Sequence, residues 1–79
     1  MNDEEAVKLI KANNTSGFDF LYDKYSRLMY SYIYRMIGNG SDVEDLTSEV
    51  FFKIYKNIKK YRESGKFKSF IYRIAHNTA

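Results

Sequence analysis

The 79-residue chain has no cysteine, no proline and no tryptophan, and it has a single histidine, His76. The lack of cysteine excludes a disulfide framework, and together with the lone histidine it excludes nearly every zinc site built from these two residues. The lack of proline removes the strongest breaker of long helices. A chain of this length forms one small domain whose stability must come from packing, to which eight tyrosines and six phenylalanines contribute. We expect neither a metal nor a cofactor.

Long hydrophobic runs are missing as well, since no apolar stretch exceeds a few residues. Their absence argues against a membrane span, and the acidic start at Asp3, Glu4 and Glu5 does not resemble a signal peptide. We therefore expect a cytoplasmic protein with no membrane among its partners. The last apolar pattern reaches Ala79 without a capping signal, so we expect residues 1–79 to be one domain of a longer protein.

The net charge of +3 hides an uneven distribution of charge along the chain. Residues 1–52 carry five lysines and arginines against nine acidic residues, a balance of −4. Residues 53–79 carry eight lysines and arginines against one acidic residue, a balance of +7. The acidic front and the basic back predict two partners of opposite character, and the basic part is suited to a polyanion.

Clusters of turn-forming residues divide the chain into four segments, and the clusters lie at 13–17, 38–40 and 63–65. Apolar residues recur within each segment at steps of three and four, which predicts helices over about 3–12, 17–37, 41–62 and 67–79. The predicted fold class is all-α, a compact bundle of four helices joined by short connections.

The ends of the predicted helices carry capping signals. Ser16 is the expected N-cap of the second helix, and Gly38 is the glycine expected just after its end. Ser41 and Glu44 have the spacing of a capping box at the start of the third helix. The second helix has the widest predicted apolar stripe, which consists of Phe18, Leu21, Tyr22, Tyr25, Leu28, Met29, Tyr32, Ile33 and Met36.

Residues that carry enzyme chemistry are scarce in this sequence. It has no cysteine nucleophile, no glycine-rich phosphate loop and no pair of histidines at ligand spacing, so we expect a protein that is not an enzyme. The carboxylates at the start of the third helix lack the alternating spacing of a calcium loop. A solvated or protein-binding helix face is the better interpretation of these four residues, Asp42, Glu44, Asp45 and Glu49.

Residues 61–73 interleave cations with aromatic rings. Cations neutralise phosphates and rings stack on unpaired bases, so the pattern favours single-stranded or locally opened nucleic acid over a closed duplex. An amphipathic helix with a basic solvated face explains the same pattern, because Phe67, Phe70 and Ile71 are needed for the core. The residues alone leave both interpretations open.

Two separated motifs carry a resemblance that covers nearly the whole chain. The first is DVEDLTSEVF at residues 42–51, and the second, after a loop, is FKSFIYRIAHNTA at residues 67–79. In this order they resemble the first, region-two domain of a bacterial RNA polymerase sigma factor of the extracytoplasmic-function type. The earlier pattern Phe18-x-x-Leu21-Tyr22-x-x-Tyr25 is similar to the helix that opens this region in that family.

The resemblance implies a transcription initiation factor that binds core RNA polymerase and recognises and helps melt the promoter minus-ten element. It implies docking on the clamp helices of the largest polymerase subunit by Asp45, Ser48 and Glu49, with Leu46 and Val50 as core support. Promoter DNA, chiefly the opened non-template strand, is the second expected partner, and an anti-sigma factor is a third. The expected DNA-binding residues are Tyr61, Arg62, Lys66, Lys68, Tyr72, Arg73, His76 and Asn77. Phe70 stands where the family often has tryptophan. Its side chain is expected either to contact the promoter or to be buried in the core.

Other function classes compete with this interpretation. The main alternative is a helical protein-interaction module, or a regulator, that does not read DNA. A duplex-binding helix-turn-helix protein is less favoured, because the basic residues lie beside aromatic residues and a glycine-containing loop instead of on a recognition helix after a tight turn. An enzyme comes last.

Overall fold

The helices predicted from periodicity are present in the structure, a computed structural model that describes residues 1–38, 40–62 and 65–78. Within these residues the elements are α1 (Asp3–Lys11), α2 (Ser16–Ile37), α3 (Gly40–Asn57), a 3₁₀ helix (Ile58–Lys60) and α4 (Phe67–Thr78). The all-α prediction is therefore confirmed. Helix α2 packs against α1 and α3, and α4 packs against α3 and α2, in a body of 36 × 20 × 19 Å. None of the helices in the described part of the chain is long and apolar enough to cross a membrane.

The core is one apolar cluster to which every helix contributes. Helix α1 docks through the three residues that its spacing predicts, Ala6, Val7 and Ile10. The cluster continues through the other elements with Leu21, Tyr25, Met29, Ile33, Val43, Val50, Phe51, Ile54, Ile58, Tyr61, Phe67, Ile71 and Ala75.

The buried stripe of α2 is narrower than predicted. Its fully buried line is Leu21, Tyr25, Met29 and Ile33, spaced by four residues, whereas Tyr22, Leu28 and Met36 are exposed. Neighbouring helices cover a stripe of limited width on a helix surface, and residues at the flanks of that stripe stay in contact with solvent. Apolar spacing alone therefore overestimates the buried width of α2.

Helix α2 begins differently from the prediction. Ser16 is the first residue of the helix and Thr15 is the N-cap, so the assignment of Ser16 as N-cap is wrong. The side-chain oxygen of Asn14 accepts hydrogen bonds from the Ser16 backbone N–H (3.0 Å) and hydroxyl (2.7 Å). The turn is thus closed by an asparagine side chain. The other end of α2 has the predicted glycine, Gly38, which has φ 68° and donates from its backbone N–H to the Tyr34 carbonyl at 2.8 Å.

Helix α3 also departs from its predicted limits. It begins at Gly40, so Ser41 lies inside the first turn and is not the N-cap of the expected capping box with Glu44. The position before Gly40 lies outside the described residues. Instead, Asn2 and Glu5 form a capping box at α1, where each side chain accepts from the other's backbone N–H at 2.9 and 3.2 Å.

The α-helical part of α3 ends at Asn57, short of the predicted end near residue 62. The chain continues in the tighter 3₁₀ helix, where residues three apart lie on one face. This spacing lets Ile58 and Tyr61 both point into the core, where each is buried. The change of helix type therefore directs the chain across the bundle toward α4.

Gly17 allows α1 and α2 to approach closely at the start of α2. A Cβ atom at this position would lie 2.3 Å from the Ala6 carbonyl oxygen and 3.0 Å from the Leu9 Cβ. Because the nearest obstacle is backbone, only a shift of α1 can relieve such a contact.

We predict that Gly17→Ala lowers the free energy of unfolding by about 1–3 kcal/mol, the usual range for overpacking. Urea denaturation followed by circular dichroism measures the change. The control is Asp19→Ala, an exposed position two residues further along α2, for which about 0.5 kcal/mol or less is expected. Equal stabilities of the two variants would contradict the close approach.

Tyr25 links the middle of α2 to the first turn of α1. Its hydroxyl donates to the Asp3 carboxylate, whose other oxygen accepts from the Lys24 ammonium at 2.8 Å. Burial, and then the hydrogen bond to Asp3, raise the pKa of the Tyr25 hydroxyl well above its ordinary value. The folded protein therefore holds this proton more tightly than the unfolded chain does.

We predict that stability falls as pH rises from about 10, the ordinary tyrosine pKa, toward the raised pKa of Tyr25. The unfolded chain loses the proton first in this window, so the slope approaches about 1.4 kcal/mol per pH unit. Tyr25→Phe should remove this slope, whereas Tyr34→Phe, at an exposed tyrosine of the same helix, should keep it. Denaturant midpoints from pH 8 to 11 test this, and identical slopes in the two variants would refute the assignment.

Candidate nucleic-acid interface and acidic surface

A groove with basic walls lies between the end of the 3₁₀ helix and α4. It has a volume of about 360 Å³ and is lined by Lys60, Tyr61, Arg62, Lys66, Ser69, Phe70 and Arg73. Three of the residues predicted to bind DNA, Arg62, Lys66 and Arg73, are brought together here and are exposed. We call these seven residues the cationic groove.

Tyr61 lines the cationic groove but is largely buried. Its side chain is only 7% exposed, and its ring centroid lies 5.4 Å from that of Phe67 and 5.0 Å from that of Phe70. Its hydroxyl donates to a carboxylate oxygen of Glu4 at 2.8 Å. Tyr61 is therefore a core residue that lines the groove with one edge, and its predicted contact with DNA, which can involve only that edge, stays a prediction. Phe70 is half-buried, in line with the alternative given for it.

The exposed surface of α4 has two flanks, because residues three and four apart lie on one face of a helix. One flank lines the cationic groove through Ser69 and Arg73, and Lys66, which directly precedes the helix, lines the groove beside them. Asn77 follows Arg73 by four residues and is exposed, so it extends this flank by one turn. The predicted pair of Arg73 and Asn77 on one face agrees with this geometry.

The other flank of α4 faces α2 and does not line the groove. The ring of Tyr72 packs edge-to-face against Tyr32, with centroids 5.1 Å apart. The Nδ1 atom of His76 lies 3.5 Å from the Tyr32 hydroxyl. Lys68 is exposed on this flank. The structure therefore separates Lys68, Tyr72 and His76 from the groove residues with which the sequence grouped them.

Two groove residues, Lys60 and Ser69, were missed as candidates by the sequence analysis. Lys60 falls within the third helix predicted over about 41–62, whereas in the structure it lies in the 3₁₀ helix and lines the groove. Ser69 has no distinctive local signal. Its spacing from Arg73, four residues along α4, is the pattern that identifies it once the groove is known.

The acidic residues predicted to bind a protein partner lie on the exposed face of α3. Asp45, Ser48 and Glu49 are all exposed, and Glu49 pairs with Lys53 at 3.2 Å. Exposed pairs of this kind add little stability, so Glu49 can exchange this partner for another at small cost. Val50 is buried and Leu46 is half-buried, which agrees with their expected support of the core.

Phe52 lies beside these acidic residues and was not singled out from the sequence. Its side chain is 61% exposed, and the Lys56 ammonium lies 5.6 Å from its ring centroid. It follows Ser48 by four residues and Glu49 by three, so it shares their face of α3. We call Asp45, Ser48, Glu49 and Phe52 the acidic surface. A large exposed ring beside charges is typical of a protein-binding surface.

The described part of the chain contains no cluster of potential metal ligands. Among residues 1–38, 40–62 and 65–78, no group of three or more histidine, cysteine, aspartate or glutamate side chains is placed to hold an ion. What the described surfaces provide is positive charge in a groove and negative charge on a separate helix face.

The described residues form an all-α domain with a cationic groove on one part of its surface and an acidic surface on another. The Sigma-70 region 2 family matches residues 21–79, which is most of the chain. The chain therefore belongs to the Sigma-70 region 2 family. The relatives that follow confirm its resemblance to sigma factors of the extracytoplasmic-function (ECF) type.

Similar proteins include several ECF sigma factors. The chain is 34% identical over 74 residues to the ECF RNA polymerase sigma factor SigW of Bacillus subtilis, covering 94% of this chain and 40% of SigW. It is 36% identical over 74 residues to the ECF sigma factor BldN of Streptomyces coelicolor, covering 92% of this chain and 28% of BldN. It is 30% identical over 79 residues to the ECF sigma-E factor of Escherichia coli, covering all of this chain and 41% of that protein. The chain thus spans at most about two fifths of these relatives.

The fold also matches a solved structure of the same region. An NMR structure of an engineered region 2 of sigmaE, determined in complex with GTAAAA, superposes with a TM-score of 0.90 and 29% identity. The match covers 99% of this chain and 81% of that one. The four-helix arrangement described above is therefore that of a sigma region 2.

Proposed function

We propose that this domain acts in transcription initiation, where it binds core RNA polymerase and recognises and helps melt the promoter minus-ten element. The observation that carries the proposal is the cationic groove, which lies in a fold that matches a sigma region 2 solved with GTAAAA. The relatives are more than twice as long as this chain. The proposal therefore concerns the contribution of this domain, and promoter selection by a whole sigma factor involves more.

The cationic groove suits an opened DNA strand. Lys60, Arg62, Lys66 and Arg73 supply four positive charges that can neutralise successive phosphates. Phe70 and the exposed edge of Tyr61 form an apolar wall against which a base extruded from the stack can rest. The Asn77 amide, one turn beyond Arg73, offers both a donor and an acceptor to a base edge. This combination favours the non-template strand of an opened promoter over closed duplex.

The acidic surface is the part of the domain that we propose docks on core polymerase. Asp45 and Glu49 are four residues apart on α3 and present two carboxylates to a basic partner, such as the clamp helices of the largest subunit. Phe52 supplies the apolar contact that charged patches need for tight binding. An anti-sigma factor that covers either surface would inhibit the domain, and it is a further proposed partner.

The proposed role consists of binding and not of catalysis. DNA opening by this route requires no covalent bond to be made or broken, because binding of the separated strand stabilises the open state. The domain would act where core polymerase and the chromosome are found, in the cytoplasm.

We predict that the domain binds a single-stranded GTAAAA oligonucleotide better than a strand of the same composition in a different order. Asn77→Ala should remove about 1–3 kcal/mol of this discrimination, the worth of a bidentate contact to a base.

Arg73→Ala should weaken binding to both strands and reduce the slope of log K against log salt by about 0.7, as expected for one phosphate contact. Fluorescence anisotropy over a salt series measures both effects.

Arg35→Ala provides the charge-matched control for Arg73→Ala, because Arg35 is an exposed cation at the end of α2 and outside the groove. It should leave both the affinity and the salt slope nearly unchanged. Equal binding of any sequence, or tighter binding of closed duplex than of single strands, would overturn the proposed recognition and favour a protein-interaction module.

We predict that the double change Asp45→Ala with Glu49→Ala abolishes co-purification with core RNA polymerase, because it removes both carboxylates of the acidic surface. The control is Asp23→Ala, which removes an exposed carboxylate of α2 outside the acidic surface. The control should co-purify with core polymerase like the unchanged protein. Circular dichroism checks that both variants are folded, and full retention of core polymerase by the first would exclude this docking surface.

A further inference from the structure

The first helix is connected to the basic segment that leads into α4 by the side chain of Glu4. One carboxylate oxygen of Glu4 accepts from the Tyr61 hydroxyl at 2.8 Å. The other oxygen accepts from the Gly65 backbone N–H at 3.3 Å. The partners are 57 and 61 residues away along the chain. A single carboxylate thus holds two points on either side of Arg62, a residue of the cationic groove.

A second contact from α1 reaches the same place. The Lys11 ammonium donates to the Tyr61 backbone carbonyl at 2.8 Å, so α1 holds both the backbone and the hydroxyl of Tyr61. Tyr61 follows the 3₁₀ helix and donates from its backbone N–H to the Ile58 carbonyl at 3.1 Å, and the Lys66 carbonyl accepts the first bond of α4 from the Phe70 N–H at 3.2 Å. Arg62 and Gly65 lie between these two points, outside the helices. The contacts with α1 therefore add to these local bonds a long-range restraint on Tyr61 and Gly65.

We propose that Glu4 is a positioning residue for the cationic groove, and that through Tyr61 and Gly65 it sets the selectivity of the groove for one strand sequence over another. This inference rests on the proposed function of the groove. Glu4 itself does not line the groove. It acts by holding Tyr61, which with Phe70 forms the apolar wall of the groove, in the position at which a base is bound.

The charge of Glu4 makes this role distinguishable from a simple electrostatic effect. A negative charge near four cations opposes the binding of a polyanion, so its removal alone should tighten the binding of any strand. Loss of positioning should instead weaken discrimination between strands. One binding experiment separates the two effects, because the first changes the affinity for every strand and the second changes the ratio of the Kd values for two strands.

The test compares Glu4→Ala with Glu4→Gln, two variants with the same change of charge. Glutamine keeps a carbonyl oxygen for the Gly65 N–H and an amide group that can hydrogen-bond the Tyr61 hydroxyl oxygen, whereas alanine keeps neither. The ratio of Kd values for GTAAAA and its reordered strand should fall by about tenfold in Glu4→Ala, the equivalent of one charge-assisted hydrogen bond. The ratio should stay within about threefold of the unchanged protein in Glu4→Gln.

Glu5→Ala is the control for effects that pass through the stability of α1. Glu5 carries the same charge one residue further along, and its backbone N–H and side chain hydrogen-bond Asn2 in the capping box. It should leave the ratio of Kd values unchanged. The Gly65 amide resonance in NMR spectra gives a second measurement, and it should shift in Glu4→Ala and stay in place in Glu5→Ala.

The possible outcomes separate this inference from the proposed function. A wild-type protein without strand preference overturns the proposed function. A selective wild-type protein whose Glu4→Ala variant is equally selective overturns the positioning role alone, and so does equal impairment of Glu4→Gln and Glu4→Ala. If Glu4→Ala does not fold, Tyr61→Phe removes the same hydroxyl contact while keeping the ring, and it should lower the ratio in the same direction.

Discussion

The burial of Phe67 among three other rings is the interaction on which the rest of the structure depends. Its side chain is 2% exposed, and its ring centroid lies 5.4–6.1 Å from those of Tyr25, Tyr61 and Phe70. These residues come from α2, from the end of the 3₁₀ helix and from α4, so one cluster fastens the last helix to the bundle. A chain without cysteine has no covalent cross-link for this purpose, and burial of such a side chain stabilises by roughly 1.5–3 kcal/mol. The cationic groove exists because α4 is held at this point.

The charge division along the sequence acquires a spatial meaning in the fold. The acidic residues of α3 face solvent at the start of the helix, and the cations gather where the chain leaves it. Part of this arrangement suits the helix dipole and needs no function to explain it. The groove is different, because bringing four cations to one cavity costs electrostatic repulsion that a bound polyanion would relieve. The proposed binding of a DNA strand would give this arrangement a use.

The sequence predicts the helices well because apolar spacing is a local property, and Ala6, Val7 and Ile10 are buried as that spacing requires. It predicts helix starts less well, since caps depend on which side chain reaches a free N–H, and Asn14 closes the turn that Ser16 was expected to cap. It also cannot tell a core ring from a binding ring. Tyr61 lies between cations in the sequence, yet its ring is buried and its hydroxyl bonds to a residue 57 positions away. Lys60 enters the groove only through the 3₁₀ turn.

The continuity of α3 has a consequence for how the two proposed surfaces work together. The helix runs without a break from the acidic surface to Asn57, and the stretch from Glu49 to Asn57 rises about 12 Å at 1.5 Å per residue. The helix therefore fixes both the distance and the relative orientation of the two surfaces, since each residue also turns the chain by about 100°. Gaining or losing one residue in this stretch would either turn the acidic surface by about 100° relative to the groove or turn the buried Ile54 and Ile58 out of the core. The distance and angle between the two proposed surfaces thus depend on the length of α3 as well as on the residues that make contacts.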